Sequence, residues 1–239
     1  SEINGGSLRN AIPRESNAII AIDKISQKIF LRNIELLIAQ IKNEFSTIEP
    51  NLTIEIQEIA SPEKVMELNI QENFIRAIYT SLNGVYRMSP TISGLVETSN
   101  NIAKVTVQKG LIKVKCLIRS SSESNKQDLT NSLKSAFELA GFEVELSGEY
   151  PGWQPNVNSK ILEIVSNIYE DLHGEKAHVA ACHAGLECGI LGQNYPKMDM
   201  VSFGPTILGA HSPDEKVSIS STQKFWRFLQ EILKNIPKK

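Results

Sequence analysis

The fold is decided by residues 91–119, TISGLVETSNNIAKVTVQKGLIKVKCLIR. Three short runs rich in β-branched residues, Thr91–Glu97, Asn101–Gln108 and Leu111–Arg119, are separated by Ser99-Asn100 and by Lys109-Gly110. Both dipeptides are typical of the tight turns of β-hairpins. The stretch therefore predicts three consecutive antiparallel strands.

The segments around these hairpins add strands and helices to the sheet. The predicted strands are Ser16–Ile22, Leu52–Ile59 and Phe142–Gly148, and the predicted helices are Ile25–Phe45, Ser61–Ser81 and Leu129–Ala140. Residues 1–149 are therefore predicted to form an α+β domain, a mostly antiparallel sheet with helices on one face.

The pattern changes after the turn-rich stretch Tyr150–Pro155. Beyond it, predicted helices alternate with short apolar strands, in the order Ser159–Leu172, Ala177–Cys182, Ala184–Ile190, Met200–Phe203 and Ser220–Ile236. Helix and buried strand in alternation are typical of a parallel α/β unit. Roughly 90 residues are few for a complete domain of this kind, so residues 150–239 are predicted to be an incomplete α/β piece.

Composition excludes several classes of protein. The 239 residues carry 25 Lys and Arg against 27 Asp and Glu, a balance that favours neither nucleic acid nor a membrane surface as a partner. We find no apolar run of the ~18 residues that a membrane-spanning helix needs. The 3 cysteines show no CxxC spacing, which indicates reduced thiols and a cytoplasmic protein.

The sequence HAGLECG, residues 183–189, is the first candidate site. It follows a predicted strand and opens a predicted helix, so His183 and Glu187 are expected at the carboxyl end of a strand, where α/β sheets bind ligands. The alternative is a tight turn whose small residues serve packing. We discount a zinc site that uses Cys182 and Cys188, because structural zinc sites usually have paired cysteines and four ligands.

The second candidate is the loop Tyr195–Lys216, which contains Ser202, Gly204 and His211. A hydroxyl and backbone amides in a turn can bind a carboxylate, and a loop histidine can ligate a metal. The alternative for His211 is an exposed surface position. One histidine cannot hold a catalytic metal alone, so any metal here needs ligands from elsewhere.

Asn10 and Arg119 are the third candidate pair. An arginine at the end of a strand is commonly solvated or paired with a surface carboxylate. Arg119 can instead, together with Asn10, bind a carboxylate or carbonyl group of a substrate.

Three motifs, GGSLRNAIPRE (5–15), HAGLECG (183–189) and DMVSFGPTILGAHSPDE (199–215), together resemble the aminoacyl-histidine dipeptidases. These Xaa-His dipeptidases, which are carnosinase-like, form a family of two-zinc metallopeptidases. The resemblance implies that residues 1–149 are a lid domain that mediates homodimer contacts. It also implies that residues 150–239 are the C-terminal part of the catalytic domain.

The resemblance assigns roles to individual residues. It implies that His211 is the last metal ligand of a site with two Zn²⁺ ions. It further implies that six residues contact the substrate: Asn10, Arg119, His183, Glu187, Ser202 and Gly204. The other ligands, a bridging aspartate and a general-base glutamate belong to an N-terminal half that is expected to lie outside this sequence.

The expected function is zinc-dependent hydrolysis of dipeptides of the Xaa-His type, such as carnosine, by the full-length protein. The fragment alone is expected to be inactive and to expose apolar surface that the missing half would cover. Two alternatives stay open: a non-catalytic peptide-binding or dimerisation module with the lid fold, and a related peptidase that prefers another substrate.

Overall fold

The computed structural model describes residues 1–183 and 186–235. Within them the order of helices and strands is β1 Glu2–Gly5, β2 Ser16–Ile19, α1 Gln27–Glu44, α2 Leu68–Thr80, β3 Gly84–Met88, β4 Val96–Gln108, β5 Leu111–Ser120, α3 Glu123–Leu139, α4 Lys160–His173, α5 Glu187–Asn194, β6 Ile207–Leu208, β7 Lys216–Val217 and α6 Ile219–Asn235.

One antiparallel sheet contains the first five strands, and β4 is its centre. On one side β4 pairs with β5 along nearly its whole length, and on the other side it pairs with β3 and β1, while β2 pairs with β1. The turn between β4 and β5 is the predicted one, because Lys109 (φ 51°) and Gly110 (φ 77°) both have the positive φ of a type I′ hairpin. The predicted antiparallel sheet is confirmed.

The predicted turn at Ser99-Asn100 is wrong, because β4 runs straight through it. The polar side chains find partners inside the sheet. Thr98 Oγ1 and Ser120 Oγ lie 2.8 Å apart, and Asn100 Nδ2 donates to the Leu82 carbonyl at 2.7 Å. These hydrogen bonds let buried polar residues lie within the strand, although Oδ1 of Asn100 has no hydrogen-bond partner among the described residues.

Helix α3 provides the core of the first part of the chain. Leu129, Leu133 and Phe137 are buried on it, and the helix packs against β5 and α2. It begins six residues before the predicted start, since the Ser122 hydroxyl accepts a hydrogen bond from the Asn125 N–H and caps the helix.

Helix α2 begins at Leu68, so its predicted start at Ser61 is wrong. Its buried residues are Phe74 and Ala77. A helical turn at residues 61–67 would have little apolar surface to pack, and packing supplies most of a helix's stability.

Four predicted strands are absent from the described residues: Leu52–Ile59, Phe142–Gly148, Ala177–Cys182 and Met200–Phe203. A strand needs a neighbouring segment to satisfy its backbone hydrogen bonds, and no described residue pairs with any of the four. The predicted parallel α/β unit is therefore not found there. The strand pair that the second part does contain, β6 with β7, is antiparallel.

The second part of the chain is held together by α4 and α6. Val165 of α4 packs with Phe228 and Ile232 of α6 in a small buried cluster. Helix α4 ends at His173, and the following residue, Gly174, has a φ of 68°, the left-handed conformation usual after a helix. The described residues thus form a mixed α and β fold with an antiparallel sheet.

Candidate functional site

A polar cluster joins the sheet to the second part of the chain. Ser99 of β4 lies directly opposite Arg119 of β5 in the strand register. The Ser99 Oγ is 2.7 Å from Nε2 of His183, which is far away in sequence. Two of the predicted site residues, Arg119 and His183, are thereby brought to the same place by a serine between them.

The electrostatics of this cluster favour a neutral imidazole. Burial lowers the pKa of His183, and the positive charge of Arg119 lowers that pKa further. A neutral imidazole carries one N–H donor and one lone-pair acceptor, so it can hold Ser99 with one nitrogen and a ligand with the other.

Asn10 is anchored to the same strand. The side-chain Nδ2 of Asn101 donates to the carbonyl of Ala11 at 2.8 Å, and the Ala11 N–H closes a turn onto the carbonyl of Leu8. Asn101 follows Ser99 by two residues on β4, and side chains two apart on a strand share a face. The exposed turn that carries Asn10 is therefore fixed near the Ser99 cluster.

Glu187 opens α5 and is exposed there. The predicted helix Ala184–Ile190 overlaps α5, and Ala184 and Gly185 lie outside the described residues. Ser202 and Gly204 are exposed in the loop between α5 and β6. Among the described residues, none of these three makes a side-chain hydrogen bond with the Ser99 cluster. Their substrate contacts stay predictions.

His211 lies in the loop that connects β6 to β7. Its φ of 66° is left-handed, and its backbone N–H donates to Oε2 of Glu215 at 2.6 Å. The Ser212 hydroxyl donates to the Gly209 carbonyl at 2.7 Å and closes the same loop. The loop is held by its own hydrogen bonds, and the side chain of His211 is exposed.

The described residues do not make a metal site by themselves. No group of three or more His, Cys, Asp or Glu side chains among them is arranged to hold a metal ion. A catalytic zinc needs about three protein ligands, so the single imidazole of His211 does not fit such an ion without further donors. Cys116, Cys182 and Cys188 are free thiols.

Asp199 has a structural role within the predicted loop. Its carboxylate accepts hydrogen bonds from the Ile161 N–H at 3.0 Å and from Asn156 Nδ2 at 3.3 Å. These bonds stabilise the carboxylate at the start of α4, and the hydrogen bond from Ile161 is the main cause of its lowered pKa. Asp199 thus ties the loop to α4.

Ser99 and Asn101 were missed by the sequence analysis. The interpretation of Ser99-Asn100 as a turn removed Ser99 from the sheet and made Asn101 the first residue of a separate strand. A single strand over Val96–Gln108 would have kept Ser99 in the sheet, but the hairpin turn at Lys109-Gly110 alone would have put Asn100 opposite Arg119. The irregularity between Ile102 and Lys104 shifts the register by one residue and puts Ser99 there instead.

Similarity to known proteins gives the family to which the chain belongs. Residues 19–235 match the family model described as Peptidase family M20/M25/M40. The match covers most of the sequence, and the chain belongs to this family.

Two relatives are similar along the whole chain. It is 42% identical over 240 residues to the cytosol non-specific dipeptidase of Escherichia coli (strain K12), covering 100% of this chain and 49% of that protein. The crystal structure of aminoacylhistidine dipeptidase from Vibrio alginolyticus superposes with a TM-score of 0.86 at 42% identity, covering 100% of this chain and 49% of the other. The chain thus spans about half the length of the relatives it matches.

Within the described residues, no helix combines the length and the apolar character that crossing a membrane requires.

Proposed function

We propose that this chain is part of a metal-dependent dipeptidase that cleaves short peptides, with a preference for dipeptides that end in histidine. The observation that carries the proposal is the 42% identity, over the entire chain, to two proteins named as dipeptidases. The cluster of Ser99, Arg119 and His183 supports it, because cationic and neutral polar donors grouped beside a sheet suit the oxygens of a peptide.

The proposed substrate contacts follow from the chemistry of each side chain. Arg119 and Asn10 bind the carbonyl or carboxylate oxygens of the peptide. His183 and Glu187 border the cleft at the start of α5. Ser202 and Gly204 offer a hydroxyl and a backbone N–H to the free carboxylate.

For the metal, we propose that His211 is one ligand of a site with two Zn²⁺ ions. The exposed imidazole in a loop held by Glu215 and Gly209 supports this role, because its position is fixed before any ion binds. The remaining ligands and the catalytic base come from outside the described residues. We therefore propose that the chain alone is inactive.

The arrangement of the whole protein is also a proposal. Residues 1–149 act as the lid domain and carry the homodimer contacts, and residues 150–239 complete the catalytic domain. The name of the Escherichia coli relative, a cytosol dipeptidase, supports a cytoplasmic location.

Metal analysis of the intact protein tests the proposed ligand. His211→Ala is expected to lose at least one zinc per site and to lower kcat/KM at least about 100-fold, because an open ligand position disturbs the metal that the reaction needs. His178→Ala changes another exposed histidine and serves as the matched control.

Full zinc content and full activity in His211→Ala would contradict the assignment. Comparison of carnosine with Ala-Ala and with a tripeptide then fixes the substrate class. Binding of dipeptides without hydrolysis of any of them by the intact protein would favour the non-catalytic module instead.

A further inference from the structure

The hydrogen bond between Ser99 and His183 determines which ring nitrogen remains for a second partner. The Ser99 Oγ contacts Nε2 at 2.7 Å, so only Nδ1 is left. The guanidinium-bearing Arg119 lies across the strand pair from Ser99 and is the charged group that faces His183 from the sheet. On the same segment as His183, the charged residue Glu187 lies four residues later in the sequence.

We propose that Ser99 is a positioning residue: its hydroxyl donates to Nε2 of His183, so that the imidazole presents Nδ1–H to an oxygen of the bound peptide. This inference deepens the proposed function and rests on it. Ser99 itself does not contact the substrate.

The direction of the hydrogen bond follows from the chemistry of the ligand. Carbonyl and carboxylate oxygens only accept hydrogen bonds, so a peptide beside Arg119 needs a donor from His183. If Nε2 carried the proton and donated to Ser99, a bare Nδ1 lone pair would face those oxygens and repel them. The neutral state matters here, since burial and the nearby Arg119 lower the pKa of His183 and leave it a single proton to place.

Three variants of the intact protein distinguish a role of Ser99 in positioning the His183 ring from a role in packing alone. Ser99→Ala removes the donor, and Ser99→Thr keeps a hydroxyl on a β-branched side chain that suits a strand. Thr106→Val is the matched control, since Thr106 lies on the same strand and its hydroxyl bonds to no other described residue. One readout is the ¹⁵N spectrum of labelled histidine, with the His183 signals assigned by their loss in His183→Gln.

In the wild-type protein the spectrum is expected to show His183 protonated at Nδ1. Ser99→Ala is expected to shift it toward the mixture of tautomers found in solution and to raise KM for dipeptides about 2- to 10-fold, the effect of one lost hydrogen bond. Ser99→Thr restores the Nδ1–H form and most of the affinity, and Thr106→Val changes neither.

A proton on Nε2 in the wild-type protein overturns the inference, and so does an unchanged tautomer in Ser99→Ala. The spectrum needs no turnover. A protein without dipeptidase activity whose His183 still shows the Ser99-dependent Nδ1–H form therefore refutes the proposed function and leaves the positioning role standing.

Discussion

His173 ends α4 with a buried ring nitrogen. Its Nε2 has no hydrogen-bond partner among the described residues, and its ring lies 4.6 Å from the ring of Tyr169 and 6.4 Å from that of Phe228, centroid to centroid. Burial lowers the pKa of His173, and Lys224 lowers it further against the opposing effect of Glu175. The folded protein therefore holds this histidine neutral.

We expect this histidine to make stability depend on pH. The unfolded chain takes up a proton near the ordinary pKa of 6.5, whereas the pKa of folded His173 is lower. Stability is therefore fully present above that pH and falls as the pH drops through it toward the folded value. His173→Phe keeps an aromatic ring against Tyr169 and Phe228, and should flatten the dependence of the urea midpoint between about pH 7.5 and about pH 5.

The control for this prediction is His178→Phe at an exposed position. A midpoint that falls as steeply in His173→Phe as in the wild-type protein would show that other groups cause the loss.

At the same scale, the sequence predicted some residues of the candidate site, but it did not predict which other residues contact them. Arg119 and His183 were chosen from strand ends and motifs, and the structure brings them together through Ser99. Ser99 itself carries no motif. Ser99 belongs to the site because β4 pairs with β5 and because a loop far along the chain brings His183 to it. Local sequence patterns carry no information about either contact.

At the scale of elements, the connection Tyr150–Gly152 is packed between the sheet and α5. A Cβ on Gly152 would come within 2.5 Å of the Ser120 carbonyl oxygen, and a Cβ on Gly189 of α5 would come within 2.5 Å of the Pro151 carbonyl oxygen. The Gly152 N–H also donates to Oε1 of Glu123 at 2.6 Å. Because Gly152 and Gly189 have no Cβ, the backbone of the connection can pack closely against Ser120 on one side and against α5 on the other.

Two alanine substitutions in α5 test this packing. Gly189→Ala is expected to lower the free energy of unfolding by about 1–3 kcal/mol, because the methyl group meets backbone that cannot move aside. Gly192→Ala is the matched control in the same helix, where the added Cβ meets only the flexible end of Met200 at 3.4 Å. There the better helix propensity of alanine should raise stability by up to about 1 kcal/mol.

Urea unfolding of both variants measures the difference. Equal effects at the two positions would mean that the contact with Pro151 does not hold α5 in place.

The sequence predicted correctly those helices and turns that depend only on neighbouring residues. The Lys109-Gly110 turn, the bodies of α1, α4 and α6 and the end of α3 at Gly141 follow from turn chemistry, periodicity and caps. Leu52–Ile59 and Met200–Phe203 have strand-like sequences, but a strand also requires a partner, and that partner cannot be predicted from the segment alone.

At the scale of the whole molecule, the chain has an unusually large surface. Its accessible area is 18232 Å², whereas a compact monomer of 26.5 kDa has about 10,700 Å². Apolar side chains contribute to the excess. Ile25, just before α1, is 92% exposed, and on α6 Ile219 is 77% and Trp226 58% exposed. Exposed apolar side chains are thus present in the second part, whereas their cover by another segment of the full-length protein stays a prediction.

We expect this exposed apolar surface to become buried in solution through association. The chain expressed alone should bind the dye ANS and should associate, because burying apolar area gains about 25 cal/mol per Å². Light scattering measures its mass, and the intact protein, in which we expect this surface to be covered, is the control. A monomer that binds no dye would contradict the prediction.

The Ser99–His183 contact also has a consequence for how the molecule is made. It closes a loop of 84 residues, and the Asn101–Ala11 contact spans 90. The hairpin of β4 and β5 needs only neighbouring residues and can form early, whereas contacts between distant residues pay the entropy of loop closure first. During synthesis, a nascent chain that has emerged only to residue 182 can carry the sheet, with Arg119 in its register, but not the cluster. Assembly of this site is therefore a late folding event, and a binding-competent cluster reports that both parts of the chain have folded.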